Sequence, residues 1–179
     1  METISYEAFD ALFTSFRRDA LHLEMRDAYG TAVEMPHLRK WEAGEPDDTR
    51  WLQPWFDLVR VGRQDGKVFQ RARIVSEPVS DYQQWVLKDS HLYVEAGEDI
   101  RWIPRSRVSA VALPGNDFWL FDDELVVFLI FAASGHVVER QSTTDPRTIA
   151  LCRSAFEAVW ELSIPNSEYR PSRRGQAGP

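Results

Sequence analysis

The stretch of sequence that decides the fold is Gly115-Asn116-Asp117-Phe118-Trp119-Leu120-Phe121-Asp122-Asp123-Glu124-Leu125-Val126-Val127-Phe128-Leu129-Ile130-Phe131. In it, two apolar runs flank one acidic turn. Short runs rich in aromatic and β-branched residues, bounded by turn formers, are typical of strands that are buried on both faces. The stretch therefore predicts a β-hairpin at the centre of the fold.

Length and composition predict one folded unit. A chain of 179 residues is long enough for one hydrophobic core and short for two domains. Its 44% of hydrophobic residues is too high for a disordered protein. We expect a single globular domain over residues 1–169. Residues 170–179 combine Arg with Pro, Ser and Gly, and they are expected to form a disordered tail.

Charge and hydropathy narrow the expected location and partners. No apolar run approaches the ~20 residues that span a bilayer, and the first residues are acidic where a signal peptide is basic. The single cysteine, Cys152, excludes an internal disulfide and fits a reducing compartment. A net charge of −7 opposes direct binding to a phosphate backbone. We expect a cytoplasmic protein that contacts neither membrane nor nucleic acid.

Hydrophobic periodicity alternates between helix and strand along the chain. Predicted helices start after Ser5, cover residues 35–41 and 51–59, run from Ser80 to about His91, and start again at Thr144 or Asp145. Besides the hairpin, strands are predicted at residues 21–25, 68–75, 100–103, 108–113 and 137–141. Such mixing predicts an α/β or α+β fold in which helices flank a central mixed sheet.

From Phe9 to about Tyr169 the chain resembles an uncharacterised actinobacterial family of about this length. The resemblance is carried by Trp55-Phe56-Asp57-Leu58-Val59-Arg60, Arg73-Ile74-Val75-Ser76-Glu77-Pro78-Val79-Ser80-Asp81-Tyr82, Ala96-Gly97-Glu98-Asp99-Ile100-Arg101 and Asp117-Phe118-Trp119-Leu120-Phe121-Asp122. That family has no settled activity. Its members tend to be encoded near small helix-turn-helix regulators, so the resemblance implies such a regulator as a protein partner.

Residues 67–163 also resemble one half of a phospholipase D-like domain, in which a strand carries His-x-Lys-x-x-x-x-Asp and a C-terminal helix often ends in Phe-Glu-x-x-Trp. Phe156-Glu157-Ala158-Val159-Trp160 is similar to the second pattern. With Asp122 on the motif aspartate, the histidine position falls on Gly115 and the lysine position on Asp117. Neither residue can replace the nucleophile or the phosphate-neutralising cation. The resemblance therefore implies a degenerate, non-enzymatic copy with no catalytic residues.

Metal and cofactor sites are not predicted. The four histidines lack the spacing of a helical metal site. Asp122, Asp123 and Glu124 could hold a hard cation, but three carboxylates at a hairpin are more simply solvated turn residues. Residues 62–67 lack the spacing of a phosphate-binding loop.

A ligand crevice is predicted where polar residues meet the ends of strands and helices. Its candidate residues are Arg73, Asp81, Tyr82, Arg101 and Asp122. They have an alternative interpretation as structural ion pairs, Arg73 with Glu77 or Asp81 and Arg101 with Asp99.

Seven tryptophans are too many for one core to hide completely, so one or two of them are expected to line a groove or an interface. They are Trp41, Trp51, Trp55, Trp85, Trp102, Trp119 and Trp160. Two functions remain open. The first is a non-enzymatic regulatory protein that binds a protein partner, with a homo-oligomer also possible. The alternative is a small-ligand or nucleotide sensor that uses a degenerate phosphodiesterase-like crevice.

Overall fold

The computed structural model describes residues 1–172, so most of the predicted tail, residues 173–179, lies outside the described residues. The strands of the described chain form one eight-stranded sheet in the order β1-β7-β6-β5-β2-β3-β4-β8. They are β1 (Glu2–Thr3), β2 (Asp19–Glu24), β3 (Val68–Val75), β4 (Asp99–Pro104), β5 (Phe118–Phe121), β6 (Leu125–Phe131), β7 (Val137–Thr143) and β8 (Ile164–Pro165). Strands β2, β3 and β4 pair in parallel, and all other neighbours are antiparallel.

Helices cover both faces of this sheet. They are α1 (Tyr6–Ser15), α2 (Met35–Glu42), α3 (Gln53–Gln64), α4 (Asp81–Ala96) and α5 (Pro146–Leu162). The side chains of Ser5, Ser80 and Asp145 cap the first turns of α1, α4 and α5 by accepting backbone N–H groups. The predicted fold class, a central mixed sheet flanked by helices, is confirmed.

The hairpin prediction is also confirmed, since β5 and β6 pair antiparallel around the turn of residues 122–124. Asp122 and Asp123 have φ angles of 57° and 60°, the left-handed conformation that a tight hairpin requires at both central residues. The prediction of a fully solvated turn is wrong for Asp122. Its carboxylate is buried and accepts the backbone N–H groups of Arg17 at 2.8 Å and Arg18 at 2.7 Å.

Strand alternation separates two apolar layers. Leu21 and Leu23 of β2 face α5, which contributes Cys152, Phe156 and Val159 to the core. Ala20 belongs to the opposite layer, together with residues of α1 and α3 such as Phe13, Phe56 and Val59. Because side chains of a strand alternate between faces, His22 and Glu24 lie on the same side as Ala20. This face becomes polar toward the carboxyl end of β2.

Two local predictions are corrected. Residues 108–113 do not form a strand; a short 3-10 helix, Arg105–Val108, is followed by turns. Their alternating apolar residues reflect a loop that packs Val108, Val111 and Leu113 against the α5 layer. Helix α4 extends past His91 to Ala96, where Gly97, with φ of 114°, ends it. Among the described residues, no helix has the length and apolar character needed to cross a bilayer.

Candidate functional site

A pocket of about 160 Å³ opens at the carboxyl ends of the parallel strands β2 and β3. Helix α4 forms one wall, the segment leading into α2 forms another, and β6 closes the far side. In sheets of this type the crevice beyond the carboxyl ends of parallel strands is where ligands bind. The lining residues used below are His22, Glu24, Tyr29, Thr31, Glu34, Trp51, Arg71, Arg73, Tyr82, Trp85, Asp89, Tyr93 and Phe131.

The floor of the pocket is a network of buried charges on adjacent strands. The Glu24 carboxylate accepts from Arg71 Nη1 at 2.6 Å and lies 2.5 Å from Arg73 Nη1. Arg71 Nε donates to Glu98 at 2.6 Å, and His22 Nε2 lies 3.3 Å from Glu24. The parallel register, which places Glu24 beside Arg73 and His22 beside Arg71, brings these charges together.

Two charges of the floor, those of Glu24 and Arg71, are held in their ionised forms by their neighbours. Burial alone raises the pKa of Glu24, but Arg73 and Arg71 outweigh that effect and hold this pKa well below its usual range. Burial lowers the pKa of Arg71, and the charges of Glu98 and Glu24 more than reverse it, so this pKa is raised. Glu24 and Arg71 therefore stay ionised through the neutral pH range.

Aromatic rings fix Arg71 from several sides. Its guanidinium lies 5.8 Å from the ring centres of Trp55 and Tyr93, and 5.6 Å from that of Trp119. Trp55 also donates from Nε1 to Glu98 at 2.9 Å. Arg71 is thus restrained by two ion pairs and three aromatic rings.

The walls of the pocket are aromatic. Trp51 and Trp85 lie nearly parallel, with ring centres 6.1 Å apart and an interplanar angle of 10°. Tyr82 packs edge-on against Trp85 at 5.6 Å, and Tyr29 contacts Tyr82 at 5.6 Å and Phe131 at 5.3 Å. All seven tryptophans lie within residues 1–172, and none of them is exposed. Trp51 and Trp85 confirm the prediction that one or two tryptophans line a groove.

Two further carboxylates reach the pocket from its walls. Glu34 accepts hydrogen bonds from the Tyr82 hydroxyl at 2.9 Å and from the Thr31 hydroxyl at 2.6 Å. Within residues 1–172 no ion pair includes Glu34, so its contacts are with neutral donors. Asp89 lies 3.6 Å from the exposed Lys88. Burial, and then the charge of Glu34, raise the pKa of Tyr82 well above its usual value, so its hydroxyl stays a donor.

The structure brings together two of the five residues predicted from the sequence. Arg73 and Tyr82 line the pocket, and Arg73 pairs with Glu24, a partner that the sequence did not predict. The guanidinium of Arg101 lies over the Trp160 ring at 4.2 Å and 3.8 Å from Asp99, as its structural interpretation predicts.

The remaining two predicted residues lie away from the pocket. Asp122 binds backbone at the hairpin turn. Asp81 is exposed at the start of α4, where it accepts a hydrogen bond from Gln84 at 3.3 Å.

The positions implied by the phospholipase D resemblance have structural roles here. Gly115 is exposed in the loop before β5, whereas Asp117 is buried. Asp117 accepts the backbone N–H of Met25 at 3.0 Å and the hydroxyl of Tyr29. It therefore fixes the segment after β2 that carries one wall of the pocket. In the described part of the chain, no three His, Cys, Asp or Glu side chains are grouped so that they could hold a metal ion.

Comparison with known sequences identifies the family. The profile of the family described as Domain of unknown function (DUF6879) matches residues 7–171. The chain belongs to this family. No curated protein sequence matches the chain.

Comparison with solved structures identifies the fold. A phospholipase D family member, Nuc from Salmonella typhimurium, is similar with a TM-score of 0.50 and 8% identity over 93% of this chain and 94% of that chain. The archaeal chromatin protein TrmBL2, described with a novel mode of DNA binding, gives a TM-score of 0.48 and 13% identity. That match covers 88% of this chain, which spans about half (49%) of the TrmBL2 chain. The fold of the DUF6879 chain is phospholipase D-like.

Proposed function

We propose that this protein is a non-enzymatic sensor that binds a small ligand in the pocket between β2, β3 and α4. The observation that supports this most is the combination of aromatic walls with a floor of buried, mutually paired charges. Small-molecule sites are concave, mostly apolar and aromatic, and carry a few fixed polar groups. Buried charges cost desolvation energy, so a network that borders a pocket is more readily explained by ligand binding than by stability alone.

The protonation states of the charged groups in the floor support ligand binding over catalysis. A general acid or base works best with a pKa near the operating pH. The pKa of Glu24 is held low and that of Arg71 is raised, so neither group exchanges a proton near neutral pH. The thiol of Cys152 is buried in the α5 layer on the other face of the sheet. The floor is therefore suited to hold a ligand in one orientation.

In this proposal, the protein signals the binding of its ligand by contacting a partner protein. The family resemblance makes a helix-turn-helix regulator the candidate partner, and this partner stays a prediction. Pull-down of the protein from its native cytoplasm, followed by mass spectrometry, tests it. Recovery of no stoichiometric partner by folded protein contradicts it.

Ligand binding is tested by a thermal-shift screen against metabolites that include nucleotides, amino acids and amines. A ligand at 100-fold excess over its dissociation constant adds about 2.7 kcal/mol to the free energy of unfolding. We expect at least one compound to stabilise the wild type but not Trp51→Ala, which removes a pocket wall. Trp160→Ala, a partly buried position on α5, is the matched control and should retain the response. A flat screen with folded protein contradicts the proposal.

A further inference from the structure

The charges around the pocket do not cancel. Glu24 and Glu98 are each in direct ion pairs with Arg71 or Arg73, so these four groups neutralise one another. Glu34 then remains with only neutral hydroxyl partners among the described residues. Within residues 1–172, the ion pair of Asp89 is with Lys88, whose side chain is 55% exposed, and such a pair contributes little attraction. Among the carboxylates that line the pocket, Glu24 and Asp89 are in ion pairs and Glu34 is not, so Glu34 is available to a cationic ligand.

The same walls present several π systems. Trp51, Trp85, Tyr82 and Tyr29 line the space that Glu34 borders. Aromatic faces attract cations through the ring quadrupole, with Trp the strongest, and the attraction grows when water is excluded. Rings of this kind together with an unneutralised carboxylate form the two halves of an ammonium-binding site.

We propose that the ligand of this pocket is a small organic cation with a primary or methylated ammonium group. The inference rests on the proposed ligand-binding function and names the chemical class of its ligand. The ammonium group lies between the Glu34 carboxylate and the rings of Trp51, Trp85 and Tyr82. An anion would bring its charge next to Glu34 and Asp89 in a protein of net charge −7, and the two arginines are already paired.

The size of the pocket limits the body of the ligand. Its volume of about 160 Å³ lies below the range of about 300–1,000 Å³ that holds drug-sized molecules. An ammonium group with one short chain or one ring fits this space. A nucleotide would have to leave its phosphates outside the pocket.

The test compares probes that match in shape and differ in charge. Choline is paired with its neutral carbon isostere 3,3-dimethyl-1-butanol, and 2-phenylethylamine is paired with phenylacetate. Titration calorimetry at low salt measures each affinity. We expect the cation of at least one pair to bind about tenfold or more tightly than its partner, since one cation–π contact and one carboxylate contact both favour it.

Two variants test whether Glu34 is the residue that binds the cation. Glu34→Gln keeps an oxygen to accept from Tyr82 or Thr31 but removes the charge, so the affinity for the cation should fall by about tenfold. Glu42→Gln, at an exposed position on α2, is the matched control and should bind like the wild type.

The outcomes separate this inference from the proposed function. One outcome is that a compound from the screen binds the wild type but not Trp51→Ala, while the neutral or anionic probes bind as tightly as the cations or more tightly. This outcome contradicts the assignment of a cationic ligand and leaves the proposed ligand site intact. If no probe binds and the screen is also flat, both proposals fail. Equal loss of cation affinity in Glu34→Gln and Glu42→Gln overturns the assignment to Glu34.

Discussion

Oε1 of Glu24 lies 2.6 Å from Nη1 of Arg71 on the neighbouring parallel strand. The other carboxylate oxygen of Glu24 lies 2.5 Å from Arg73. One buried carboxylate thus pairs with two buried guanidinium groups, and Glu98 supplies the second negative charge. Removal of a single partner from such a network leaves a charge without compensation, which is far more costly than the loss of an exposed pair.

Replacement of Glu24 by Ala should therefore lower the free energy of unfolding by about 3–5 kcal/mol. Urea denaturation followed by circular dichroism measures the change. Glu124→Ala is the matched control, because Glu124 forms an exposed pair with Arg17 that contributes about 0–1 kcal/mol. Similar losses in the two variants would show that the buried network does not contribute as described.

The same residue predicts a dependence of stability on pH. The folded-state pKa of Glu24 lies below its ordinary value of 4.5, so its stabilising contribution is fully present above that pH. The contribution is lost as the pH falls below about 4.5 toward the folded-state pKa. The difference in unfolding free energy between the wild type and Glu24→Gln should shrink over this range. A difference that is constant from pH 7 to about pH 3 contradicts the prediction.

The hairpin turn provides three further variants. Asp122→Ala removes the acceptor for the backbone N–H groups of Arg17 and Arg18 and should cost about 2–3 kcal/mol. Asp122→Asn should cost less, because Asn tolerates the left-handed backbone and keeps one acceptor. Asp123→Asn, at the exposed neighbouring position, should change stability by about 0–1 kcal/mol. Thermal unfolding ranks the three variants, and an equal cost for Asp122→Asn and Asp123→Asn would contradict the role of the buried carboxylate.

The wild-type protein should not hydrolyse bis-p-nitrophenyl phosphate or single-stranded DNA above a blank. Gly115 and Asp117 stand where the resembling enzymes carry the nucleophilic histidine and the lysine, and neither side chain performs that chemistry. The double variant Gly115→His with Asp117→Lys should also remain inactive, since active enzymes pair two motifs across one site. Turnover that survives purification and disappears in Asp122→Ala would overturn the non-enzymatic proposal.

The Cys152 thiol should be inert in the folded protein. Burial raises its pKa to about 12, so almost no thiolate is present at neutral pH. A thiol reagent should label it only after denaturation, on the time scale of global unfolding. Rapid stoichiometric labelling of native protein would show that the α5 layer opens locally.

Local hydrophobic patterns predicted most of the helices and strands, because the periodicity of each element is set by residues that are close together in the sequence. The hairpin at residues 118–131 and the helix that carries Cys152 are examples. At residues 108–113 the alternation of apolar residues comes from a loop that packs on the core, so periodicity alone predicts a strand that does not form.

The pocket was only partly predictable. Arg71 meets Glu24 and Glu98 from distant positions in the chain, and the parallel register that joins β2 to β3 has no local sequence signal. The alternation of His22 and Glu24 with Leu21 and Leu23 was a usable signal. It indicated a strand face that becomes polar at its carboxyl end. An acidic turn has the same composition whether its carboxylate faces a ligand or the backbone, so the sequence does not predict the backbone contacts of Asp122.

The mixed sheet has a consequence for the order of folding. Strands β5, β6 and β7 follow one another within residues 118–143 and pair through short loops, whereas β2 and β3 pair only after a long crossover has closed. Closure of longer loops costs more entropy and slows pairing. Pulse-labelling hydrogen exchange should therefore protect β6 before β3. Because residues from both groups of strands line the pocket, we expect the pocket to acquire its shape only after β2 and β3 have paired.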